Sequence, residues 1–135
     1  WHIPVAMLVG LLAIAGVFWM FDPQAFPFPA FHKVDLSKYA GIRLRVKGDG
    51  RRYTWRLTTN ARWRGQEIGY WADFDTQDGA WVTVDIPFSR FIPQYRGTRL
   101  DGPELDPAQI TGMGLMIYDR LDGLFELRLA RVQAY

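Results

Sequence analysis

The chain has 135 residues, a formal net charge of +2 and no cysteine. That length holds one domain of ordinary size, and the lack of cysteine excludes disulfides, thiolate metal sites and a cysteine nucleophile. The small positive charge rests on arginines scattered along the chain. This argues against a nucleic-acid partner and leaves an anionic lipid or protein surface as the partner it suits.

Two compositions follow one another. Residues Ile3 to Phe21 carry no charged side chain, and a helix needs roughly 20 apolar residues to cross a bilayer. The run predicts a transmembrane helix over residues 1–21, with Pro4 in its first turn and Asp22-Pro23 closing it. Trp1 and Trp19 suit the two aromatic belts. Ala6, Gly10, Ala13 and Gly16 fall on one helical face, where small residues allow close helix packing in lipid. The segment lacks the small-x-small site of a cleaved signal peptide. His2 and His32 are solitary and read as solvated or headgroup-level residues rather than ligands. Basic residues near the run (Lys33, Lys38, Arg43) lie on its C-terminal side, which predicts a single-pass protein with its domain on the cytoplasmic side.

Residues 22–34 form a linker. Pro23, Pro27 and Pro29 forbid helix and favour an extended spacer. Phe26, Phe28 and Phe31 alternate with them, and such apolar area predicts contact with the bilayer interface or a neighbouring protein.

From residue 35 to 135 the pattern is that of strands. Ile42, Leu44 and Val46 alternate with Arg43, Arg45 and Lys47, and Gly48-Asp49-Gly50 predicts a hairpin turn. The return strand sets Tyr53, Trp55 and Leu57 on one face. Ile68, Tyr70, Ala72 and Phe74 mark a third strand. Val82, Val84 and Ile86 mark a fourth after the Asp78-Gly79 turn. Residues 89–107 predict a crossover or long surface loop, with one short helical turn starting at Asp106-Pro107. Gly112–Tyr118 predicts a fifth strand. The last strand, after Leu121-Asp122-Gly123, alternates Phe125, Leu127 and Leu129 with Glu126 and Arg128. Six half-wet strands predict an all-β antiparallel sandwich.

Nothing in this pattern assembles a catalytic site, and no cofactor or metal is expected. Asp73, Asp75, Asp78 and Asp85 read as turn and solvent-facing carboxylates, without the spacing of a calcium loop. Ser89 lacks the G-x-S-x-G context of an activated nucleophile. The aromatic excess carries more information. Trp71 and Trp81 fall opposite the apolar set of their strands, so with Trp63 they are candidate protein contacts. An internal core under a second covering layer is another reading of these rings, and a carbohydrate-stacking platform built from Trp71 and Trp81 is the third.

Three blocks resemble the complex I intermediate-associated protein 30 family. They are Leu44-Arg-Val-Lys-Gly-Asp-Gly-Arg-Arg-Tyr, Trp81-Val-Thr-Val-Asp-Ile-Pro-Phe-Ser-Arg-Phe and Ile110-Thr-Gly-Met-Gly-Leu-Met-Ile-Tyr-Asp. Gly123-Leu-Phe-Glu-Leu and Val132-Gln-Ala-Tyr close the match. The resemblance implies a galactose-binding-like jelly roll and a non-catalytic role in assembling bioenergetic membrane complexes. Family domains begin with strands upstream of Asp35, where this sequence has the linker and the apolar run. A partial jelly roll with an unpaired edge, covered by a partner chain, is therefore expected. The function so implied is that of a membrane-anchored accessory or assembly subunit, contacting other subunits and the bilayer. A photosynthetic reaction centre or antenna is the favoured host and respiratory complex I the next; the alternative is a membrane-tethered carbohydrate-binding module. The contact residues expected are Ala6, Gly10, Ala13 and Gly16 in the membrane, Phe26 and Phe28 in the linker, and Trp63, Trp71 and Trp81 on the domain.

Overall fold

Residues that alternate apolar with polar need a second sheet to bury their apolar face, and the chain supplies one. The computed structural model describes residues 2–3, 6–12 and 33–135. The first sheet contains β1 (His2–Ile3), β2 (Ala6–Leu12), β3 (Gly41–Lys47), β6 (Trp81–Pro87) and β10 (Gly123–Ala134). The second contains β4 (Arg52–Trp63), β5 (Gln66–Asp75), β7 (Ile92–Tyr95), β8 (Thr98–Arg99) and β9 (Ile110–Ile117). Its order is β8-β7-β5-β4-β9, while in the first sheet β10 lies between β3 and the β1/β2 edge, with β6 outermost. All ladders between named strands are antiparallel.

The core is what the alternation promised. Ile42, Leu44 and Val46 from β3 are fully buried, as are Tyr53, Trp55 and Leu57 from β4 and Ile68 and Tyr70 from β5. Phe125, Leu127 and Leu129 from β10 join them, and then the spacing jumps to Val132 and Ala134. A bulge between Leu129 and Arg131 absorbs one residue, so the apolar set stays on the inner face after the alternation slips.

Two expectations are corrected. Gly48-Asp49-Gly50 does not close a hairpin, because β3 and β4 belong to different sheets. Both strands carry wide apolar faces, and placing them on facing sheets buries each against the other. Residues 89–107 do cross over, from β6 in the first sheet to β7 in the second, but not as a bare loop. They hold a 3-10 turn, Phe88–Arg90, and the two short strands β7 and β8. The helix expected over Ile3–Phe21 is not shown. β1 and β2 instead follow one edge of β10 in a single register, from His2 opposite Gln133 to Leu12 opposite Gly123. In the described part of the run, Ala6–Leu12 takes the backbone partners that the open edge of β10 offers. Among the described residues no helix is long and apolar enough to cross a membrane. Ala13, Gly16, Phe26 and Phe28 lie outside the described residues. The predicted turn at Asp106 is present as Pro107–Gln109, with the Asp106 carboxylate accepting from Ala108 N–H.

One end of the sandwich is tied by charge. Arg51 donates to both carboxylate oxygens of Asp119 at 2.6 and 2.8 Å and to the carbonyls of Leu121 and Leu124. Asp49 accepts from the Tyr53 hydroxyl and the Glu126 backbone N–H. These contacts lock the β3–β4 and β9–β10 crossings together. The Arg51 hydrogen bond is the main cause that holds the Asp119 carboxyl below the usual carboxylate range. Burial, reinforced by the Asp49 charge, pushes the Tyr53 phenol far above its ordinary value.

Candidate recognition surface

The outer face of the second sheet is where the polar side chains of β4, β5, β7 and β9 meet. Register puts Arg56 between Trp71 on β5 and Gly114 on β9. It puts Thr58 between Gly69 and Gly112. Beyond β5, Gln94 stands opposite Gly69 and Ile92 opposite Trp71. Glycines therefore occur where long side chains would otherwise cover the sheet, and the result is a trough with Arg56 lying along its floor.

Gly69 shows why glycine is needed. A Cβ there would come within 2.6 Å of Arg56 Nε and 2.8 Å of Trp71 Nε1, so both side chains rest directly on bare backbone. At Gly112 a Cβ would meet the Thr58 hydroxyl at 2.7 Å. The Arg56 side chain is only 17% exposed and sits 3.6 Å from Glu67, which is 53% exposed. Burial lowers the Arg56 pKa, and Glu67 offsets this in part. The Trp71 indole N–H is buried without an acceptor among the described residues, and leaving such a donor unmet costs about 1–3 kcal/mol.

The trough continues in both directions. Toward β9 it is lined by Thr58, Thr111 and Gly112. Toward β7 it is lined by Gln94, Tyr95 and Arg96. Tyr118 meets Trp71 edge-on at 5.8 Å and forms part of a further wall with Asp73 and Arg90. Asp73 is held by the Thr54 hydroxyl at 2.6 Å.

Of the aromatic residues singled out in the sequence, the structure brings Trp63 and Trp71 to the second sheet and separates Trp81 from them. Trp63 ends β4 and packs on Tyr95 with ring centroids 5.0 Å apart. Trp81 begins β6 in the first sheet and is 40% exposed. Trp71 and Trp81 stand on opposite outer faces, as alternation required, so they cannot form one stacking platform. Ala6 and Gly10 occupy β2, opposite Leu129 and Phe125, rather than a helical seam. The sequence reading missed Arg56 and its glycine floor. The signal was Gly112-x-Gly114 at strand period opposite an arginine in the same alternation.

The site is a trough of polar and aromatic side chains on the outer face of a β-sandwich. Two solved structures share the architecture. Both are the family 11 carbohydrate-binding module of Clostridium thermocellum. One, from the cellulosomal cellulase Lic26A-Cel5E, has a TM-score of 0.56 at 16% identity and covers 96% of this chain and 85% of that one. The other, in complex with a mixed-linked tetrasaccharide, has a TM-score of 0.53 at 16% identity, covering 96% and 86%. At such identity the likeness establishes the fold alone.

Residues 18–129 match the sequence model of the Complex I intermediate-associated protein 30 family, and the chain belongs to that family. An uncharacterised protein of Schizosaccharomyces pombe is 31% identical over 114 residues, covering 74% of this chain and 51% of the relative. The chain thus spans about half the length of the curated relative it matches.

Proposed function

We propose that this protein is a non-catalytic accessory or assembly module, and that it docks an extended segment of a partner subunit in the trough on its second sheet. Family membership supports the assembly role in general. The docking mode rests on the trough itself, where Arg56, Trp71, Gln94 and Tyr95 line one depression over the bare backbone of Gly69. A partner segment laid in the trough packs on the aromatic rings and bonds to the polar side chains that line it.

The host we infer is a respiratory complex of the complex I type, because the family's own description names it. A photosynthetic host draws no comparable support. Work at a membrane complex is compatible with a cytoplasmic or equivalent matrix-side position. In this reading the outer face of the second sheet recognises the complex.

The test is affinity purification of the tagged full chain from its native cells in mild detergent. Recovery of respiratory-complex subunits, lost on Trp71→Ala in a variant that keeps its melting temperature within a few degrees, is the expected outcome. Recovery of no complex, or equal recovery with Trp71→Ala, contradicts the docking mode. Binding of soluble β-glucans instead, abolished by the same substitution, points to carbohydrate recognition.

A further inference from the structure

The end of the trough carries a feature that the assembly role does not by itself explain. β4 and β5 are joined by Arg64-Gly65, and β7 and β8 by Arg96-Gly97, each a two-residue loop between paired residues. Both residues of each loop have positive φ, 50° and 77° in the first and 49° and 79° in the second, which defines type I′ turns. The first position of such a turn favours asparagine, aspartate or glycine, because a Cβ crowds the backbone there. Here both turns use arginine. Among the described residues the third non-glycine position with positive φ is also an arginine, Arg120.

Each of these arginines lies over an aromatic ring. The Arg64 guanidinium carbon is 4.6 Å from the Trp63 ring centre, that of Arg96 is 5.5 Å from Tyr95, and that of Arg120 is 5.6 Å from Tyr118. Trp63 and Tyr95 touch one another. The two turns are therefore joined through their aromatic rings, Arg64 over Trp63, Trp63 tilted against Tyr95 and Arg96 over Tyr95, with Tyr95 and Arg96 lining the trough end beside Gln66 and Glu67. Stacking occupies the face of a guanidinium and leaves its N–H edge outward, in the plane that accepts a carboxylate at two points. Arg64 and Arg96 are exposed, and neither forms an ion pair among the described residues. Two exposed, unneutralised forks, joined through the Trp63–Tyr95 pair, make a site for two anionic groups carried on one segment.

We infer that the twin Trp63-Arg64-Gly65 and Tyr95-Arg96-Gly97 turns capture an acidic segment of the partner protein, with carboxylates on both guanidinium forks. The inference rests on the docking role proposed above and names the chemistry of the docked segment. A short acidic segment fits better than a long polyanion, because its carboxylates can be confined to the two turns, where Glu67 is already turned to Arg56 at 3.6 Å. A phosphate backbone tracking the whole sheet also meets Asp73, and the chain's charge of +2 offers little to offset it.

The experiment uses the full chain, a fluorescein-labelled oligoglutamate peptide as probe, and phosphatidylcholine vesicles with and without phosphatidylserine. Oligoglutamate is expected to bind with an affinity that falls as salt rises, and Arg64→Glu/Arg96→Glu to weaken it about tenfold or more. Arg45→Glu/Arg131→Glu, which removes equal charge from the first sheet, is expected to change binding less than threefold. Arg64→Lys/Arg96→Lys keeps the charge without the forked geometry and falls between. Equal losses in the two reversal variants would reduce the effect to net charge and overturn the inference. So would absence of peptide binding, or binding to phosphatidylserine vesicles alone. Co-purification separates this from the docking role. If wild type and Arg64→Glu/Arg96→Glu recover the complex equally, the acidic-segment inference fails while the docking role stands. If wild type recovers none, the docking role itself has failed.

Discussion

Replacing Arg51 by methionine removes the centre of the cross-link between the two sheet crossings. The Arg51 and Asp119 side chains are 12% and 9% exposed, so methionine leaves a largely buried carboxylate with its main partner gone. Breaking buried pairs of this kind costs about 3–5 kcal/mol, and the Leu121 and Leu124 carbonyls each lose a donor. They are near solvent, so a total of about 3 kcal/mol is expected, or a fall in Tm of roughly 15 °C for a domain of this size. Urea unfolding followed by tryptophan fluorescence measures it. The double variant Arg51→Met/Asp119→Leu removes both charges and is expected to recover more than half of the loss. The pH dependence has a fixed sign. Asp119 has a depressed folded pKa, so its contribution is present above the unfolded carboxylate value. It is lost as pH falls from about 4 through the folded value. Arg51→Met is therefore expected to lie closer to wild type in acid than at neutral pH. A single variant within 1 kcal/mol of wild type at pH 7, by about the resolution of the method, would refute the reasoning.

Gly48→Ala places a methyl against the Thr76 side chain, whose hydroxyl donates to the Arg51 carbonyl and accepts from Gly50 N–H. A loss of about 1–3 kcal/mol is expected in the same unfolding assay. Leu44→Ala empties a fully buried position between the sheets and is expected to cost about 3 kcal/mol. Gly69→Ala drives Arg56 and Trp71 off the sheet floor, and a shift of tryptophan emission with a change of less than about 2 kcal/mol in stability is expected.

The core was legible in the sequence because period-two alternation runs unbroken through the central part of each long strand, up to the bulges in β4 and β10. Ile42-Leu44-Val46 and Tyr53-Trp55-Leu57 are buried as their spacing required. Sheet membership was not legible, since Gly48-Asp49-Gly50 suits a hairpin or a crossing equally, and the choice lies with the apolar faces on either side. β7 and β8 were hidden by proline and arginine in strands too short for alternation to register. The apolar run at the N-terminus has no polar face to give a period, and the pairing of Ala6–Leu12 depends on a strand more than a hundred residues away. Trp71 was legible as an outward residue. Arg56 was not, because Gly69, on which it rests, and Gly114, opposite it, come from two other strands.

The claim that the second sheet recognises the partner is tested most directly by photocrosslinking in native cells, with a benzophenone amino acid at Gln94 in one variant and at Thr83 in the other. Gln94 lines the trough, while Thr83 lies on the exposed outer face of the first sheet, opposite Arg45. Adducts to a respiratory-complex subunit from position 94 and none from position 83 are expected. Adducts from position 83 alone would contradict the account.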